Sequence, residues 1–402
     1  MASSMLRRLW DYEITPQVAL KQRWVPAWAI VTMVGYVLLE VVLLAPATVI
    51  GLSTYFELSE KGFAEPTSYS LTIQIFPWLF ISLMVLNVAF RIFFGLEGYF
   101  FNRRKGLDQG QFWRNLLLYN PASVMTLGFH FLIASLVGLI LMAFGYSFAD
   151  GLAFILATGA NLREWIGAHI PTLIALPEKW MAGLAAVLIG SLIGYFDHWI
   201  SHKNRFLWHV VHGPHHLPDT LHPLGAPLAY SFELFFIPLR IVSWTVLTKL
   251  VYAEPMLLET ALFAMANYFL EIFNHSTVHY KIVAKSKILR FFTRLGGGQG
   301  AYHYLHHSSA ENHQMVNFGP GIWMLWDRIF RTFEEPPTET PSVGWTGNPD
   351  IHHNPLRVVF GGPARIWYEL RHNAGLRVKL KILLGSVYWN PPQTIDYLKK
   401  IG

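Results

Sequence analysis

The sequence predicts an all-helical bundle that crosses a membrane several times and carries a histidine-rich helical cap on one membrane face. Of the 402 residues, 53% are apolar and only 14% are charged, whereas soluble domains contain about 25% charged residues. The apolar residues gather in six stretches of about 20 residues or more, each long enough to cross a hydrocarbon core of ~30 Å as a helix. Thirteen of the 18 histidines lie between His198 and His313, which sets this part of the chain apart.

The six predicted spans are separated by more polar loops, as expected for successive membrane-crossing helices. They cover residues 27–50, 72–96, 123–147, 181–200, 228–250 and 255–274. The first span begins too late, and is too long, for the apolar part of a cleaved signal peptide. Because Arg240 sits well inside the fifth span, either that span is displaced or Arg240 is a polar lining of a lipid cavity.

The charges of the loops predict the orientation of the spans. Four cations precede the first span and four follow the second, whereas the loop 51–71 carries three glutamates against one lysine. Because positive loops stay on the cytoplasmic side, both termini and the ends of spans two, four and six are expected to be cytoplasmic. We therefore expect a multi-pass protein of a bacterial inner membrane or of the endoplasmic reticulum. Lys399 and Lys400 fit a dilysine retrieval signal of the latter.

Three regions follow from this topology. Residues 1–170 contain three predicted spans and no motif that we recognise, residues 171–335 contain the histidine clusters, and residues 336–402 form a basic cytoplasmic tail. Within the tail, residues 362–385 predict a basic amphipathic helix. Such a helix lies on the membrane surface or packs against the preceding region, and the sequence leaves both alternatives open.

Four histidine clusters stand at helical spacing. They are His198 and His202, then His212, His215 and His216, then His275 and His279, and finally His303, His306 and His307. Residues three or four apart share one face of a helix, so each cluster can present its rings to one site. Ten imidazoles exceed the four that a tetrahedral zinc needs. The pattern therefore predicts two metals with about five imidazoles each, although imidazole suits Fe, Zn, Cu and Ni alike.

Other kinds of site are excluded or lack a motif. The absence of cysteine excludes thiolate zinc sites, Cys-ligated iron–sulfur clusters and a catalytic cysteine. The metalloprotease pattern HExxH is missing, since Trp199 follows His198 where the glutamate would stand. No flavin, nicotinamide, P-loop or cytochrome b5 motif occurs, so we predict no organic cofactor site and no catalytic residue beyond the metal ligands. The net charge of +6 is modest, and we expect no nucleic-acid partner.

In this order the motifs resemble those of the sterol desaturase / fatty acid hydroxylase superfamily. The resemblance covers about residues 180–335. It rests on the first, second and fourth clusters, on Trp208, on Asn317-Phe318-Gly319, and on the run from Trp326-Asp327-Arg328 to Phe333. Two positions depart from the family pattern: Trp208 stands four residues before His212 instead of three, and Arg331 replaces a usual glycine. His279 occurs in the fatty acid 2-hydroxylase branch but is missing from many relatives.

The resemblance implies a membrane oxidase with two non-haem iron ions and O2 as co-substrate. All ten clustered histidines are then iron ligands. The substrate is a lipid, such as a sterol, fatty acyl chain, alkylglycerol or carotenoid, and the product is an alcohol or an alkene. Electrons come from a separate protein, either cytochrome b5-like or a ferredoxin with its reductase.

Two other functions stay open at this point. An alkane-type hydroxylase would use the same chemistry. A membrane metal transporter or metal-binding protein without redox chemistry would place its ligands near the bilayer midplane, whereas these histidines lie at predicted span ends. Asp197 and Glu271 are candidates to orient a ligating imidazole, or they are ordinary helix-end carboxylates in water. His209 lies near the second cluster but out of register, so we expect it to support a ligand or to lie on the surface, and His222 and His313 are weaker ligand candidates.

Overall fold

The computed structural model is helical throughout the part of the chain that it describes, and no β-strand occurs there. The described residues are 2–15, 70–104, 109–145, 147, 158–221, 236–296, 300–319, 321–345 and 354–394, with scattered positions between 27 and 59. The helices are α1 Ala2–Asp11, α2 Ser70–Arg104, α3 Gln109–Ala143, α4 Thr158–His169, α5 Lys179–Lys203, α6 Phe236–Val251, α7 Leu257–Asn274, α8 Thr277–Val283, α9 Lys287–Leu295, α10 Ala301–His306, α11 Leu325–Ile329, α12 Pro355–His372 and α13 Leu376–Leu384. The helical content confirms the all-α prediction.

Helix α5 is, among the described residues, the one helix long and apolar enough to cross a membrane. Only 28% of its apolar stretch is buried, which suits a surface that faces lipid better than the core of a soluble protein. It coincides with the fourth predicted span. The count of six spans stays a prediction, because residues 27–50 lie largely outside the described part of the chain and α6 is 16 residues long.

Helix α3 divides into two halves with different surroundings. Its first half contributes Phe112, Leu116 and Tyr119 to a buried core together with Val358 and Val359 of α12. Its second half turns outward, and its side chains Leu132, Leu139 and Ile140 are more than half exposed. An exposed apolar half is expected where a helix enters lipid, and this half falls within the predicted span 123–147.

The C-terminal helices pack on the histidine region. Ile366 of α12 and Ile382 of α13 lie against Val210 and Val211. The fully buried side chains of Arg205 and Glu369 form two hydrogen bonds, with Nη2–Oε1 and Nε–Oε2 distances of 2.5 and 3.0 Å. Removing one partner of such a pair would leave a buried charge uncompensated.

The single helix predicted for residues 362–385 is wrong, because this segment is divided between α12 and α13. Trp367, Leu376 and Leu380 of the predicted apolar face are exposed, so a location on the membrane surface and packing against the preceding region both stay predictions. The boundary at residue 336 stays a prediction. Lys399 and Lys400 lie outside the described residues.

Candidate metal centre

The last two turns of α5 carry the first two predicted ligands. His198 and His202 are four residues apart on one helix face, with ring centroids 5.3 Å apart. The helix ends at Lys203, and the Oδ1 atom of Asn204 then accepts a hydrogen bond from the amide of Leu207. The next turn of the chain can therefore begin directly beside the two histidines.

That next turn is a π-helix, Leu207–His212, followed by a 3₁₀ turn, Gly213–His216. A π-helix holds more residues per turn than an α-helix, and short π segments are frequent at functional sites. This geometry accommodates the extra residue between Trp208 and His212 that departs from the family spacing. Gly213 closes the π turn with a hydrogen bond to the Trp208 carbonyl, and a side chain at Gly213 would collide with that carbonyl.

Nine of the ten predicted ligands converge in two groups. The five-histidine group consists of His198, His202, His212, His216 and His306, and the four-histidine group consists of His215, His275, His303 and His307. Within each group the candidate ligand nitrogens lie within 4.8 Å of one another. Clusters up to about a hundred residues apart in sequence thus meet at the end of α5.

The nitrogen spacings suit metal binding. In the five-histidine group the Nε2 atom of His212 lies 3.1, 3.0 and 3.0 Å from those of His198, His202 and His216. In the four-histidine group the Nε2 atom of His307 lies 3.2 and 3.1 Å from those of His275 and His303. Nitrogens that bind one metal at about 2.1 Å stand about 3.0 Å apart at a right angle and about 3.4 Å apart in a tetrahedron. Both groups therefore fit a cation at their centre.

The two groups adjoin each other. The rings of His216 and His307 stack with centroids 4.2 Å apart, although they belong to different groups. The rings of His212 and His215 are 5.3 Å apart. Two ions held by these groups would therefore be neighbours, as the sequence predicted.

Backbone carbonyls of the segment 316–318 hold two of the ligands. The Nδ1 atom of His198 lies 2.6 Å from the carbonyl of Phe318, and that of His306 lies 2.8 Å from the carbonyl of Val316. Because a carbonyl only accepts, Nδ1 carries the proton and Nε2 offers its lone pair to the metal. These two contacts could not be predicted from the sequence, since any residue type supplies a carbonyl.

Asp327 fixes this segment. Its carboxylate accepts hydrogen bonds from the amides of Phe318 and Gly319, both at 2.8 Å, and from the Thr332 hydroxyl at 2.7 Å. Burial raises the pKa of Asp327 to about 6. Asp327 therefore has a structural role, which it fulfils through contacts with two backbone amides and a hydroxyl.

Burial keeps the imidazoles neutral in the absence of metal. It lowers the pKa of His216, His303, His306 and His307 well below the usual value, and the neighbouring imidazoles lower it further. A neutral ring is the form that binds a metal. The site is thus built to receive cations without first releasing protons.

His279 lies outside both groups. The expectation that His275 and His279 share one helix is wrong, because α7 ends at Asn274 and Ser276 caps the new helix α8. The Nδ1 atom of His279 lies 3.1 Å from the carbonyl of Phe273, and its ring packs against Gly300. Ligation by His279 stays a prediction.

The remaining candidates have other contacts. Asp197 pairs with Arg240 at 3.2 Å, and both side chains are about half exposed. This contact also accounts for Arg240, which lies in the first turns of the described helix α6. His209 stacks on Trp345, and His313 contacts the Ser308 hydroxyl. His222 and the side chain of Glu271 lie outside the described part of the chain.

Comparison with known proteins gives one result. Residues 183–332 match the sequence model of the fatty acid hydroxylase family, a family of membrane-associated, iron-dependent proteins. No curated protein and no solved structure matches the chain. The match begins within α5 and ends beyond Asp327, so it includes both histidine groups and the segment that supports them. For residues 183–332, the match confirms the resemblance to the sterol desaturase / fatty acid hydroxylase superfamily that the histidine motifs predicted.

Proposed function

We propose that this chain is a membrane-bound oxidoreductase that uses two iron ions and O2 to hydroxylate or desaturate a lipid C–H bond. The observation that carries the proposal is the pair of adjoining, all-imidazole groups inside a fatty acid hydroxylase domain. Imidazole donors suit iron, and two groups of four and five donors suit two ions.

The iron pair, when bound, would supply the O2 activation and hydrogen abstraction that no amino-acid side chain can perform. The chain itself holds and shields the site. The carbonyls of Val316 and Phe318 fix the ring orientation of two ligands. The phenyl ring of Phe318 packs against the rings of His198, His202 and His306, at centroid distances of 5.3, 5.3 and 5.4 Å. This aromatic cover keeps water away from the five-histidine group.

The location of the groups favours oxidation of a lipid over metal transport. His198 and His202 lie within the last six residues of α5, whereas a transporter would have its ligands near the middle of a span. A lipid could reach such a site laterally from the bilayer. We further propose that the site faces the cytoplasm and that a separate cytochrome b5-like or ferredoxin-type protein delivers the electrons.

Lipid profiling tests the proposal. Membranes of cells that express the chain are compared with those of cells that express His306→Ala, and His169→Ala is the matched control because His169 is exposed at the end of α4. We expect a lipid that gains oxygen or loses two hydrogens with the parent chain and the control, and not with His306→Ala. Unchanged lipids together with two bound metal ions per chain would instead support the non-redox metal-binding function.

A further inference from the structure

Helix α9 is a short amphipathic helix with no buried side chain. Ile288, Phe291, Phe292 and Leu295 lie three or four residues apart and so share one face, and each is at least 40% exposed. Four large apolar side chains in water on one nine-residue helix are a strongly unfavourable arrangement. This face is therefore expected to have an apolar environment in the working protein.

The charged residues of α9 and of the segment just before it are all cationic. Residues 281–294 contain five lysines and arginines and no acidic residue. Lys287, Arg290 and Arg294 lie on the helix face opposite Phe292. Arg294 contacts Glu335 at 2.9 Å, and Lys287 is exposed. A helix with an apolar face and a cationic face is typical of one that lies in the plane of an anionic membrane surface.

A turn that packs against α9 also contacts helix α5. This 3₁₀ turn, Ile322–Met324, lies further along the chain, and its Trp323 ring contacts Phe291 edge to face at 4.9 Å. Ile322 and Trp326 border an apolar cavity of about 180 Å³ whose other wall is α5. The indole Nε1 of Trp326 donates to the hydroxyl of Ser191 at 2.8 Å. Ser191 is the middle residue of α5. The segment beside α9 that includes Trp326 therefore contacts α5 at a depth where that helix is surrounded by lipid.

We propose that α9 and the turn Ile322–Met324 form an in-plane membrane anchor, which binds anionic phospholipid headgroups through Lys287 and Arg290 and inserts the Phe292 face among the acyl chains. The exposed side chains Ile322 and Trp323 extend this apolar face toward α5. In sequence, α9 lies between the third and fourth histidine clusters, and the turn Ile322–Met324 follows the fourth. It would therefore hold the metal centre at the bilayer rim independently of the chemistry at the metals.

Site-directed fluorescence tests the anchor, and the chain is suited to it because it has no cysteine. Phe292→Cys and, as the matched control on the opposite face of the same helix, Lys287→Cys are labelled with an environment-sensitive dye in the full-length protein. The proteins are placed in lipid discs of phosphatidylcholine with or without phosphatidylglycerol. We expect nitroxide-labelled lipid to quench the dye at position 292 and aqueous iodide to quench it at position 287. Iodide quenching at position 292 as strong as at position 287 would overturn the anchor and point to a docking face for a soluble partner.

A second comparison isolates the headgroup charge. In discs with phosphatidylglycerol, lipid quenching of the Phe292→Cys label should exceed that in neutral discs, and the added changes Lys287→Gln and Arg290→Gln should abolish the excess. Quenching that is equal in the two lipids would overturn the binding of anionic headgroups. Metal content equal to that of the parent chain verifies the fold of each variant.

Discussion

The two histidine groups differ in how firmly the surrounding chain holds them. In the five-histidine group, the Nδ1 atoms of His198 and His306 are bound by carbonyls of the segment that Asp327 supports. In the four-histidine group, the Nδ1 atom of His307 is buried and has no hydrogen-bond partner among the described residues. Outer contacts of this kind typically change metal affinity 10–100-fold. The two metal positions are therefore not equivalent, and we expect the five-histidine group to bind its ion more tightly.

The largest effect is expected from removing a ligand of either group. We expect His202→Ala and His303→Ala each to lose about one metal ion per chain and to lose product formation altogether, since both ions are needed. Mass spectrometry measures the number of metal ions per chain, and lipid analysis measures the amount of product. In stepwise chelation of the parent chain, the ion of the four-histidine group should leave first. Full metal content in either variant would contradict the assignment of one ion to each histidine group.

The next effect concerns acidity. In the metal-free chain, burial lowers the pKa of His216, His303, His306 and His307, so the unfolded state binds more protons below pH 6.5. Stability is then fully present above pH 6.5 and falls as the pH drops, by up to about 1.4 kcal/mol per pH unit for each ring. We expect the unfolding temperature of the metal-free protein to drop steeply below pH 6.5.

The metal-loaded protein serves as the comparison for this titration, because a bound ion competes with protons for the same nitrogens. Its unfolding temperature should begin to fall only at a lower pH than that of the metal-free protein. Parallel curves for the two forms would contradict metal ligation by these rings.

A substitution at Asp327 is expected to affect the metal affinity of the five-histidine group and not that of the four-histidine group. Asp327→Ala removes the acceptor of two amides and a hydroxyl, which frees the segment that orients His198 and His306. We expect metal affinity to fall about 10–100-fold at the five-histidine group and to stay near its parent value at the four-histidine group. A metal titration that resolves two affinities measures this. Equal weakening at both groups would show that Asp327 acts through the fold as a whole.

A smaller effect is expected at His279, which lies outside both histidine groups. The family resemblance predicts a ligand, and the geometry has the ring against Gly300 at the start of α10. His279→Ala decides between them by metal content. Loss of an ion would add His279 to the ligand set, whereas a retained pair of ions with a lower unfolding temperature would indicate packing alone.

The sequence predicted the convergence of nine histidines because ligand spacing is a local property of the chain. Where the local structure is one helix, as for His198 and His202, the i,i+4 argument was sufficient. It failed for His275 and His279, because a helix end between them changes the direction of the second ring. The carbonyls of Val316 and Phe318 could not be predicted, since a backbone contact depends on how a distant segment packs. The π-helix was not predicted, although it coincides with the one-residue departure from the family spacing after Trp208.

The smallest expected effect concerns the other departure from the family pattern, Arg331. Its φ is +61°, a conformation that strains an L-residue by about 1–2 kcal/mol and that explains the usual glycine. Glycine also loses about 0.5–1 kcal/mol of chain entropy. Arg331→Gly should therefore stabilise the protein by about 0.5–1 kcal/mol, measured as a rise in unfolding temperature with unchanged metal content.

Asn317 is the matched control for this substitution, because its φ is +52° but its buried side chain also bonds the carbonyl of Glu334 at 2.9 Å. Asn317→Gly relieves less strain, because asparagine adopts this conformation more readily than arginine, and it loses this bond, so it should destabilise the protein. It should also loosen the segment that holds His306, and so weaken the five-histidine group, whereas Arg331→Gly should leave both groups unchanged. Lower stability in Arg331→Gly would mean that the exposed Arg331 side chain contributes more than its backbone strain removes.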